Sequence, residues 1–234
     1  MTSRRAFLQQ LAASTGAVVL LPQVVACGSS VEPEPRPEPT PTGGGETVAD
    51  PLAVPRTKPA DWDAIAFNRA RGNAGAIPES YLADVNGPDG ELKHLGKHLP
   101  YVPNLDSGVS PIAEGMLAIM WGDPSKGHAM HPNAAPSEDN PEGHWYDWIR
   151  VRKASEEATE LESRFSGWPT VGAEDNGAYT ALEGGDPAAD AGKNTVYVVQ
   201  LPPDVRPGDV VRIHAHCLTH GEYVDFLTVP TPVG

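Results

Sequence analysis

Cysteine is nearly absent from this chain: its 234 residues hold two, Cys27 and Cys217. Two thiols cannot build a framework of several disulfides, a four-cysteine iron–sulfur cluster or an all-cysteine zinc ribbon. Basic residues are scarce as well, 17 Lys and Arg against 31 Asp and Glu. A net charge of -14 lacks the basic footprint of a general nucleic-acid binder, so no nucleic-acid partner is expected. Aromatic residues make up only 6% of the chain, but five are Trp, so the core leans on a few large side chains. No apolar stretch runs unbroken for the roughly 20 residues of a membrane-spanning helix. The nearest, close to the N-terminus, is interrupted by Ser14, Thr15, Gly16, Pro22 and Gln23. Proline and glycine are instead plentiful, 25 and 24 residues, which excludes a helical bundle because both break helix interiors. The remaining 39% of hydrophobic residues suffices for the core of one domain.

Residues 1–26 read as an address. They carry no acid and two bases, in Ser3-Arg4-Arg5-Ala6-Phe7-Leu8, ahead of a modest apolar stretch from Leu11 to Val25. A twin arginine in this setting looks like a twin-arginine export signal peptide. The segment ends at Val24-Val25-Ala26-Cys27, which resembles a lipoprotein cleavage box in which Cys27 takes the lipid. An ordinary cleavage near Ala26 is the alternative. The expectation is an exported lipoprotein, anchored to the membrane by lipid alone and facing the periplasm or cell exterior; a diacyl anchor holds where one chain would not. Residues 27–60 follow as a linker, with Pro at 33, 35, 37, 39 and 41, then Gly43-Gly44-Gly45 and no apolar periodicity.

Residues 61–234 are expected to form the folded domain. A short helix over 61–71 is predicted, capped by Asp61 and stopped by Gly72. Beyond it, the chain reads as short strands between turn residues: 116–121, 145–151, 195–201, 209–216 and 223–229. In the second of these, Trp145, Asp147, Ile149 and Val151 alternate with Tyr146, Trp148 and Arg150. Residues 154–165 fit a solvated helix or an edge strand equally. Strands at this spacing predict an all-β antiparallel sandwich with a short N-terminal helix.

All eight histidines lie between residues 94 and 220, and Cys217 sits among three of them in His214-Ala215-His216-Cys217-Leu218-Thr219-His220-Gly221. Cys217 and His220 fall at a turn between two expected strands, where one thiolate and one imidazole can share a metal. The plain alternative is a buried cysteine among surface histidines. His94, His214 and His216 are best read as strand surface or as neighbours of the ligands.

Four segments then occur in order: Lys97-His98-Leu99-Pro100, His131-Pro132-Asn133, His144-Trp145-Tyr146-Asp147-Trp148-Ile149 and Cys217-Leu218-Thr219-His220-Gly221. They resemble the ligand segments of the superoxide reductase family, the iron domain of neelaredoxin and desulfoferrodoxin, over about residues 90–229. The resemblance implies an immunoglobulin-like β-sandwich holding one iron per chain, cycling between Fe2+ and Fe3+. His98, His131, His144 and His220 would ring the iron, Cys217 would be its axial thiolate, and the sixth position would stay open beside Lys97, which attracts superoxide. It also implies hydrogen peroxide as product, an external one-electron donor protein as partner, and a homo-oligomer.

The chain departs from the family pattern in four ways. Gly96 stands where the family often has Glu before the Lys. Thirteen positions separate His131 from His144, with the acidic insertion 134–143 between them, so His128 is an alternative to His131 as ligand. Leu218 replaces an Asn, and there is no second, all-cysteine iron domain. A cupredoxin-like electron carrier is a rival reading, although such sites usually take a Met after the last His and the last Met here is Met130. A metal-binding sandwich without turnover is the other.

Overall fold

The structure is a computed structural model that describes residues 50–103, 112–113, 115–182 and 185–231. The expected export signal, Cys27 and most of the expected linker lie outside the described residues. Among the described residues no helix is long and apolar enough to cross a membrane.

The chain folds as an all-β sandwich of two antiparallel sheets. One sheet has the order β1 (Pro100–Tyr101), β3 (Met116–Trp121), β7 (Thr195–Gln200), β6 (Ala178–Ala181), with β2 (Ile112–Ala113) also paired to β3. The other has the order β5 (Glu160–Arg164), β4 (Tyr146–Lys153), β8 (Val210–Cys217), β9 (Gly221–Thr228). In chain order this is the A-B-E-D and C-F-G arrangement of an immunoglobulin-like fold, with β5 added beside β4.

Period-two alternation decides what faces the core. Along β8, Val211, Ile213, Ala215 and Cys217 are all buried and pack against Leu117, Ile119, Tyr197 and Val199 of the first sheet. Arg212, His214 and His216 are therefore on the outer face. The β4 expectation needs one correction. A bulge between Tyr146 and Trp148 shifts the register, so Tyr146 joins Ile149 and Val151 inside while Asp147 turns outward to His216. Within residues 154–165 only Glu160–Arg164 forms a strand, the edge strand β5, and β6 is a short strand that the sequence reading omitted.

The N-terminal part of the domain differs more from expectation. Helix α1 (Ala64–Arg71) is capped by Asp63, whose carboxylate accepts from Ala66 N at 3.0 Å, and not by Asp61. Gly72 does not stop the chain; it continues through a wide turn, Gly72–Ala76, into a second helix, α2 (Glu79–Asn86), where no helix was expected. Two further helical turns, Gly90–Leu95 and Gly96–His98, lead to β1. Ile77, Tyr81, Val85 and Leu95 from this segment bury themselves with Tyr223 of β9, a second small core. The linker expected over 27–60 also ends earlier than predicted. The carbonyl of Leu52 accepts from Arg71 Nε at 3.4 Å, and that of Pro55 from Arg212 Nη1 at 2.9 Å.

Strand β9 is a sheet edge, and Asn68 covers it. Its side chain donates to Val224 O at 2.7 Å and accepts from Val224 N at 2.8 Å, occupying both exposed backbone groups of that residue. This pairing fixes α1, and with it the whole 64–98 segment, to β9.

Candidate metal centre

Five side chains from four stretches of chain meet at one end of the sandwich. The donor atoms of His98, His131, His144, Cys217 and His220 all lie within 4.8 Å of one another. Cys217 ends β8 on its inner face, and Leu218, Thr219 and His220 form the turn into β9. Gly221 closes that turn with φ +84°, and a Cβ there would strike the Ala76 carbonyl, so glycine is required. His144 precedes β4 and is pinned by paired 2.8 Å hydrogen bonds with the backbone of Ala134, so the insertion leaves and returns through one bridge. His131 follows β3, with its N–H on Trp121 O at 3.1 Å. Two residues on, Asn133 donates to Gly192 O at 2.8 Å and accepts from the Tyr197 hydroxyl at 2.5 Å, tying this ligand segment to β7. His98 closes the turn Gly96–His98.

Hydrogen bonding fixes the chemistry of the first imidazole. His98 Nδ1 is 2.6 Å from His94 O, and a carbonyl only accepts, so the proton is on Nδ1 and Nε2 presents a lone pair inward. That Nε2 is 3.0 Å from His220 Nδ1, which is also 3.0 Å from His144 Nε2. A single proton on His220 Nδ1 cannot serve both neighbours well, whereas a central cation serves all of the lone pairs. The spacing suits one: two cis nitrogens bound at about 2.1 Å stand about 3.0 Å apart. Cys217 Sγ lies 3.6 Å from His131 Nε2 and 3.7 Å from His220 Nδ1, the wider separation expected of a larger sulfur donor. This buried cluster of four His and one Cys can hold a metal ion.

Its electrostatics suit coordination too. Burial pushes His98 and His131 well below the ordinary histidine range, with neighbouring imidazoles adding to the effect. Burial, then the Lys97 charge, lowers His144 to about 4 and His220 to about 2. All four rings are thus neutral at pH 7, the form that binds metals. Burial pushes the Cys217 thiol up to about 12, so a metal must displace its proton.

Lys97 stands beside the cluster. Its charge lowers all four histidines and favours the Cys217 thiolate. Its Nζ sits 5.3 Å over the ring of Tyr81, and burial lowers its own pKa. Tyr81 also stacks on His220 at 4.0 Å and hydrogen-bonds His94 Nδ1 at 2.9 Å through its hydroxyl. Tyr223 stacks on His98 at 4.2 Å, and Tyr146 lies 4.8 Å from His131. Sequence reading missed these three tyrosines. For Tyr81 the available signal was its i,i+4 spacing with Val85 beyond Pro78, an apolar stripe of a second helix.

The structure brings together the five expected ligands and places Lys97 next to them. His128 is not in the cluster; its ring packs against Gly96, where a Cβ would come within 2.5 Å of His128 Cδ2. The position that often carries Glu in the resembled pattern thus has no room for a side chain. Lys93 pairs with Asp89 at 2.8 Å on the surface, and His214 and His216 bond Glu222 at 2.8 Å and Asp147 at 2.6 Å on the outer sheet face. A cavity of about 550 Å³ lies against His144 and His220, walled in part by the insertion. No family model matches this chain, and neither does any curated protein or solved structure compared with it.

Proposed function

We propose that this protein is a superoxide reductase, reducing superoxide by one electron to hydrogen peroxide at a mononuclear non-haem iron. The observation that carries the reading is the convergence of four neutral imidazoles and one thiol on a single point, with Lys97 beside it. A blue-copper site takes two histidines, one cysteine and a weak axial ligand, which leaves two of these imidazoles unused. A metal-binding sandwich without turnover remains the alternative that the activity assay decides.

Bound iron would supply a one-electron reductant with a coordination position for the substrate. The chain's residues supply the rest. His98, His131, His144 and His220 hold the metal without adding charge, and the Cys217 thiolate is its one anionic donor. The Lys97 ammonium draws the superoxide anion through an otherwise acidic protein, acting at short range where screening is weak. Tyr81 holds that ammonium over its ring and keeps the His220 plane fixed. Export through the twin-arginine route, with the lipid on Cys27, belongs to the same proposal.

Metal analysis and pulse radiolysis of the reduced protein test it. One iron per chain and one peroxide per superoxide consumed are expected. A dismutase would give one peroxide per two superoxide ions, and copper or an inert protein would reject the reading.

A further inference from the structure

The geometry points to a binding site for an uncharged, planar reductant of the hydroquinone class in the cavity beside His144 and His220. The redox role rests on the superoxide-reduction reading, whereas the binding site is argued from its walls alone.

The cavity, about 550 Å³, falls inside the roughly 300–1,000 Å³ range of small-molecule sites and far exceeds what superoxide or peroxide needs. Among the described residues no Lys, Arg, Asp or Glu lines it, and Lys97, which attracts the anion, is not part of its walls. An ionised occupant would find no counter-charge on these described walls, which favours a neutral molecule.

The walls also select shape. Ala135 and Ala188 leave room for a ring, and Trp168 supplies an aromatic surface. The indole N–H of Trp168 is engaged by Thr195 Oγ1 at 3.0 Å, so Trp168 offers the cavity apolar ring. Polar capacity is limited to groups suited to phenolic hydroxyls. The Thr219 hydroxyl donates to Gly143 O at 3.0 Å and retains its lone pairs, and the Asn140 side-chain amide forms no hydrogen bond among the described residues. His144 and His220 complete the wall, so a bound ring would touch the imidazoles of the metal cluster directly.

The stoichiometry closes. One hydroquinone becomes quinone by giving up two electrons and two protons. Two superoxide ions become hydrogen peroxide by taking up two electrons and four protons, the other two protons coming from water. A reductant held in this cavity would take the place of the donor protein implied by the family resemblance.

The test uses hydroquinone itself and does not depend on turnover. Saturation-transfer NMR on the metal-free protein should detect binding, and Ala135→Trp and Ala188→Phe should each weaken it about tenfold by filling the cavity. Loading with paramagnetic cobalt(II) should broaden the hydroquinone ring signals beyond the zinc(II) control, placing the ligand beside the cluster. Absence of binding at millimolar hydroquinone, equal binding in both filled variants, or equal broadening with the two metals would overturn the site. If binding behaves as expected but the iron-loaded protein consumes no superoxide, the functional reading fails and the site stands.

Discussion

The C-terminal hairpin and the N-terminal helical segment supply the same metal cluster by opposite means. Cys217 and His220 are three residues apart on one tight β8–β9 turn, each placed by sheet register and by Gly221. Lys97, His98 and Tyr81 come from a segment without strands, held to the sheet by its own small core and by Asn68 on the edge of β9. The hairpin is therefore a local device and should keep its geometry under most perturbations. The helical segment is a docked one, and its ligand stays in place only while the docking holds.

The largest effect should come from the local side. Cys217→Ser replaces the only thiol of the cluster and should lower metal affinity at least about 100-fold, read by competition with a chelator of known strength. Unchanged affinity would remove the thiolate from the ligand set.

The docked side should break at Asn68. Asn68→Ala strips both hydrogen bonds from Val224 and leaves a buried N–H and C=O unmet, a loss of about 2–3 kcal/mol in urea unfolding. The same variant should loosen His98 while Cys217 and His220 stay put, so metal affinity should fall less than in Cys217→Ser. A loss of stability below about 0.5 kcal/mol would mean that the small core alone carries the docking.

The neutrality of the cluster can also be tested by pH in the metal-free protein. His144, at about 4, and His220, at about 2, bind their protons less readily than unfolded histidines near 6.5. Below about pH 6.5 the unfolded chain takes up protons that the folded one refuses. Stability is then fully present above that pH and declines as pH falls toward the folded values, by up to about 1.4 kcal/mol per unit per histidine. Urea titrations at several pH values measure the slope, and His144→Gln should reduce it. A flat profile between pH 7 and pH 5 would contradict a neutral cluster.

The same contrast explains what could be read in the sequence. Apolar residues alternate along 211–215 and the ligands sit in short motifs, so β8 and the five donors were legible, although Cys217, read as a turn residue, is the inward end of the strand. Of the helical segment only the first helix was legible, because the attachments of the rest leave little mark on residue type. The carbonyls of Leu52 and Pro55 accept from arginines as backbone, which any residue could do, and a proline-rich stretch then reads as tether. The bulge that turns Tyr146 inward adds no signature residue of its own. The choice between His128 and His131 lay in Asn133, whose bonds to Gly192 and Tyr197 join positions about sixty residues apart.

The smallest expected effect is the most specific test of the docked side. Lys97→Ala should leave metal content intact and slow the encounter with superoxide several-fold, about 1 kcal/mol after screening, with a weaker dependence of rate on ionic strength. Tyr81 separates position from charge. Tyr81→Phe keeps the ring under the Lys97 ammonium and against His220 while deleting the bond to His94, and should change the rate less than about twofold. Tyr81→Leu keeps the buried bulk but removes the aromatic face, freeing the ammonium to swing into solvent. Its rate and salt slope should therefore approach those of Lys97→Ala, with Lys97 still present. Pulse radiolysis of the three variants at two salt concentrations reads both quantities. If Tyr81→Leu matches the parent protein in rate and slope, Lys97 needs no positioning, and the helical segment contributes charge and a ligand but no aim.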